Sequence, residues 1–90
     1  MQGKLFILNI GITDNGNVTH TQETFNSYEL LWIRYKVLSQ EIKNKFMNEQ
    51  EDYSIHEFNC KGCTTFLYSN QQGYKYELYF NKQGQTTYMA

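Results

Sequence analysis

With 90 residues, 40% of them apolar, the chain can fill one modest core and not two, so a single domain over residues 1–90 is expected. Eight Lys and Arg against nine Asp and Glu leave a formal net charge of -1, which removes the basic footprint of a protein that grips duplex nucleic acid through its phosphates. No apolar run is long enough to cross a bilayer, Leu5 to Leu8 is too short for a secretory signal, and two cysteines cannot staple a small secreted domain. A cytoplasmic chain without a membrane partner is therefore expected.

Lys4 to Thr13 is apolar on both alternating faces, which predicts a central strand covered on both sides. Asp14-Asn15-Gly16-Asn17 contains residues that accept positive φ in a tight hairpin, and Thr-rich Val18 to Phe25 reads as an edge strand returning beside the first. Asn26 is placed to cap a helix, with Glu29 three residues on reaching back to its amide. At a hundred degrees per residue, Leu31, Tyr35, Leu38, Ile42 and Phe46 share one stripe, the face expected on the sheet. Leu30, Ile33 and Val37 form a second apolar cluster, and Trp32 falls near the opposite margin beside Lys36, Ser39 and Lys43. The polar run 48–52 predicts the loop out of the helix.

Tyr53 to Asn59 and Thr64 to Ser69 are short strand-like runs around the turn Cys60-Lys61-Gly62-Cys63. After the turn Asn70-Gln71-Gln72-Gly73, the residues Tyr74, Tyr76, Leu78 and Phe80 alternate with Lys75, Glu77, Tyr79 and Asn81, and the first set is expected to face the helix. Lys82 to Gln85 predicts one more turn, and Thr86 to Met89 a short last strand or a frayed tail. Leu31, Leu38, Ile42, Leu78 and Phe80 satisfy both periods and are the expected core.

The expectation is an α+β domain, one amphipathic helix on an antiparallel-rich mixed sheet in ββαβββ order. That order resembles the β-grasp arrangement of ubiquitin-like and immunoglobulin-binding domains. The resemblance implies a fold and no function. Another α+β roll with a different strand order is the alternative.

Cys60-x-x-Cys63 is the sharpest motif, since two thiolates across a tight turn can converge as half a tetrahedral zinc site. His56 shares the strand parity of Cys60, and His20 is the candidate fourth ligand. With no second Cys pair, no cofactor is the favoured reading; structural zinc, in one chain or shared by a homodimer, is the alternative. Redox catalysis would need a thiol at a helix N-terminus, whereas this turn joins two strands. No nucleophile elbow, phosphate loop or dinucleotide fingerprint is present, so no catalytic role is expected.

Phe66, Tyr68, Tyr79 and Tyr88 on a sheet could stack single-stranded bases, although Lys61, Lys75 and Lys82 are thinly spread among Glu57 and Glu77. A protein-binding module fits better, through Trp32, Leu30, Ile33 and Val37 of the helix together with Phe66, Tyr68 and Tyr79. Self-association through Leu30, Ile33 and Val37 is the simpler form of the same expectation. Small Asn-rich chains without catalytic motifs are also of the kind that phages and mobile elements use to inhibit host proteins.

Overall fold

Among the described residues, six strands and one helix follow in the order β1 (Gln2–Asp14), β2 (Asn17–Phe25), α1 (Tyr28–Phe46), β3 (Tyr53–Asn59), β4 (Cys63–Asn70), β5 (Tyr74–Asn81) and β6 (Gln85–Tyr88). They are seen in a computed structural model that describes residues 2–46 and 52–88. Most of the expected 48–52 loop, and Met89 of the expected last strand, lie outside the described residues. The class is α+β, one helix packed on one sheet, as the periodicities predict.

Strand order is β2-β1-β5-β4-β3, with β6 also pairing β1. Every pairing among the described strands is antiparallel, in place of the mixed sheet expected. The cause is the chain path. Hairpins reverse the direction from β3 to β4 and again to β5, and α1 delivers β3 running the same way as β2. That makes β5 antiparallel to β1 where they meet.

Asn15 and Gly16 close the first hairpin with φ of 50° and 89°. Two successive positive φ values match the right-handed twist of the strands on either side, and Asn-Gly adopts them at least cost. The last expected turn, at Lys82 to Gln85, is not a reversal. Leu8 faces Phe80 and Leu5 faces Gln85, so two residues of β1 oppose four, 81–84, and β6 continues beside β1 in the direction of β5. The four residues form a bulge in which the Gln83 amide donates to Asn81 Oδ1 at 2.9 Å. Gly84 has φ of 70°, and a Cβ there would stand 2.9 Å from Phe6 Cε1, so both conformation and space demand glycine.

The helix begins one residue later than expected. Ser27 Oγ accepts the Leu30 amide at 3.2 Å and Ser27 O accepts that of Leu31 at 3.3 Å, which makes Ser27 the cap instead of Asn26. The third helical position is then Leu30, not a carboxylate, so the reciprocal cap gives way to a single hydroxyl. Glu29 stays in the first turn, favourable to the helix dipole, and Lys43 and Lys45 occupy the last.

Leu31, Tyr35, Leu38, Ile42 and Phe46 are buried as one stripe against Leu8, Ile10, Phe66, Tyr68, Tyr76, Leu78 and Phe80. All five expected core residues lie within this cluster. Arg34 ties the helix to the edge strand through a two-pronged ion pair with Glu23, at 3.0 and 3.3 Å. β1 differs from expectation. Leu8 and Ile10 are buried beneath the helix, but Leu5, Ile7 and Asn9 on its other face are only partly covered.

Candidate functional site

One face of the sheet holds the helix, and the register fixes what the other face displays. Tyr79 of β5 sits opposite Asn9 of β1 and Thr65 of β4, and Thr65 in turn sits opposite Phe58 of β3. Asn9 faces Gln22 of β2. These five residues cross the sheet in one row, and strand alternation turns all of them away from the helix. Gln22 Nε2 donates to Asn9 Oδ1 at 2.8 Å, and Asn9 Nδ2 donates to the Tyr79 carbonyl at 3.3 Å, so an amide chain orders the row beside the tyrosine. Tyr79 is 44% exposed and Phe58 57%. The Phe58 ring stacks on His56, centroids 6.3 Å apart. Beside the bulge, Leu5, Ile7, Asn9, Gln22, Tyr79 and Gln85 line a shallow groove of about 280 Å³.

Two residues expected in an interface are core instead. Phe66 is 0% and Tyr68 1% exposed, because their cross-strand partners are Leu78 and Tyr76, which face the helix. Phe66 and Tyr79 therefore lie on opposite faces and cannot form one stacking platform. The Tyr88 side chain lies outside the described residues. Phe58 and His56 replace them, and the alternation of residues 54, 56 and 58 carried the signal.

Trp32 is half-buried. Its ring stacks on Tyr35 at 5.4 Å, meets Phe80 edge-on at 6.1 Å, and has Lys36 Nζ 5.3 Å above it. It closes the margin of the core and is not the free anchor expected. With Tyr35, Lys36, Lys43, Glu57 and Asn59 it lines a cleft of about 330 Å³ between α1 and β3. The charges there are already matched: Lys43 Nζ lies 2.5 Å from Glu57 Oε1. Leu30, Ile33 and Val37 are exposed, as expected.

Cys60 and Cys63 are free thiols, joined by a 2.9 Å hydrogen bond from the Cys60 amide to the Cys63 carbonyl. His56 stands on β3 at one edge of the sheet and His20 on β2 at the other. Four strand spacings, about 19 Å, separate those edges, so His20 cannot complete a site with the cysteines. Its imidazole instead covers bare backbone at Gly11, where a Cβ would come within 3.3 Å of His20 Cε1. Among the described residues no three His, Cys, Asp or Glu side chains converge as metal ligands.

Comparison with protein-family models, with curated proteins and with solved structures finds no match. Among the described residues no helix is long and apolar enough to cross a membrane.

Proposed function

We propose that the protein is a non-catalytic protein-binding module whose contact surface is the open face of the sheet. The observation that carries the reading is the row Gln22, Asn9, Tyr79, Thr65 and Phe58, two exposed aromatics set among neutral amides and a hydroxyl on a rigid sheet. Tyrosine and phenylalanine bring large contact area at small entropic cost, and amides adapt their hydrogen bonds to a partner, which is the chemistry of protein-recognising surfaces. Charge is sparse on that face, with Lys75 and Glu77 adjacent on β5 offsetting each other.

A nucleic-acid strand would ask for free cations along the same aromatics. Three lysines near the helix and the bulge are engaged elsewhere: Lys43 with Glu57, Lys36 over Trp32, and Lys82 with Asn59 Oδ1. Titration with single-stranded oligonucleotides at low ionic strength is expected to show no saturable binding. Tight binding that collapses between low and moderate salt would replace this reading with phosphate-driven recognition.

A further inference from the structure

The helix face turned away from the sheet carries a pattern of its own. Leu30, Ile33, Val37, Gln40 and Asn44 recur at spacings of three and four residues, the seam positions of two heptads. At 100° per residue this seam is centred roughly 150° from the buried stripe, pointing almost directly into solvent. Leu30, Ile33 and Val37 are 54%, 59% and 43% exposed, well above what the isolated apolar residues of a solvated helix face require. Gln40 and Asn44 continue the seam as a polar pair, with Gln40 Nε2 donating to Asn44 Oδ1 at 2.9 Å.

The charges on either side of the seam decide what fits it. Glu29 and Lys36 flank one side; Arg34 and Glu41 flank the other. We propose that this face is a short coiled-coil seam that pairs, in parallel, with the same face of a second copy of the chain. In a parallel pair each residue of the first flank meets the residue five positions later on the opposite flank of the other helix. Glu29 then meets Arg34 of the second copy, whose side chain is 42% exposed while it holds Glu23, and Lys36, swung out from over Trp32, meets Glu41 of the second copy. Two-fold symmetry repeats both contacts, so all four are attractive. The antiparallel register that sets Ile33 against Val37 of the second copy places Lys36 against Lys36 and Arg34 against Arg34 instead.

Two heptads are too short to pair as free peptides, because helix formation itself is unfavourable at that length. Here the sheet already holds α1 as a helix, so pairing carries no such ordering cost. With the sheets behind the helices, the dimer would present the two open sheet faces outward, in opposite directions. Pairing of the helices is independent of whatever those faces bind.

Light scattering and sedimentation of the full chain at high micromolar concentration test it. The wild type is expected to be a dimer, and Ile33→Glu a monomer with unchanged circular dichroism. Lys36→Glu and Glu41→Lys alone should each raise the dissociation constant roughly tenfold, since two attractive pairs per dimer become repulsive. Mixed together, these two variants should form a heterodimer of wild-type affinity, because each reversed charge then meets its complement. Loss in each single variant followed by recovery in the mixture is specific to the parallel register. A monomeric or tetrameric wild type, a dimer indifferent to Ile33→Glu, or a mixture that fails to recover would overturn the proposal.

Discussion

Phe80→Ala should destabilise the domain by about 3–5 kcal/mol, the largest single-residue effect expected of this fold. Phe80 is fully buried and gathers the rings of Tyr28, Trp32 and Tyr35 at 6.1, 6.1 and 5.4 Å, all edge-on. Leu8 and Thr64 hold it from the neighbouring strands. Truncation removes the contact through which the first half of α1 sits on the sheet, and three flat rings fixed to one helix cannot collapse to fill the space. For a domain of this size the loss is a large part of a total stability of roughly 5–13 kcal/mol. Urea unfolding measures it directly. Tyr79→Ala, one residue away but on the open face, should change stability by less than about 1 kcal/mol. Equal losses in the two variants would mean that the faces of β5 are wrongly assigned.

Alkaline pH should weaken the fold through Tyr35 and Tyr76. Burial pushes both hydroxyls up from 10 to about 12, with Glu57 adding to the effect at Tyr35 and Tyr74 and Glu41 at Tyr76. A phenol that holds its proton more tightly when folded contributes stability that is complete below pH 10. That contribution is lost as pH rises toward 12. A two-unit shift is worth at most about 3 kcal/mol, and contact of the hydroxyl ends with solvent reduces this to about 1–2 kcal/mol for each tyrosine. Unfolding midpoints should therefore fall between pH 10 and 12, and fall much less in the Tyr35→Phe/Tyr76→Phe double variant. A double variant that loses stability as steeply as the wild type would place the responsible groups elsewhere.

Local chemistry makes most elements legible in the sequence. The 3.6-residue spacing from Leu31 to Phe46 marks the buried helix stripe, and the alternation from Tyr74 to Phe80 marks the strand face that meets it. Asn15-Gly16 marks its turn because few other residues accept two positive φ values. Choices between near-equals are not legible. Asn26 and Ser27 are comparable caps, and only the packing of α1 selects the second. Lys82-Gln83-Gly84 has the composition of a reversal, and only its pairing with β1 makes it a bulge.

The site is the least legible part, for a related reason. In β4 both alternating sets carry bulk, Phe66 and Tyr68 on one and Leu67 on the other, so the strand alone does not say which faces the helix. The turn after Asn70 sets the register with β5 and thereby decides it: Asn70 Oδ1 accepts the amides of Gln72 and Tyr74 at 3.0 and 3.1 Å. By residue type alone His20 and His56 can be weighed as ligands of one site. Strand order is a property of the whole chain path, and it puts them at opposite edges.

Capture of a protein partner by the open sheet face is the decisive experiment for the binding role. Wild-type protein and the Tyr79→Ala/Phe58→Ala variant, both immobilised and both confirmed folded by their thermal transitions, are to be exposed to one nuclease-treated lysate at moderate salt. A protein retained by the wild type at stoichiometric yield and lost by the variant is the expected result. Equal retention by both, or no retention beyond what a blank matrix shows, would contradict a contact surface built on Tyr79 and Phe58.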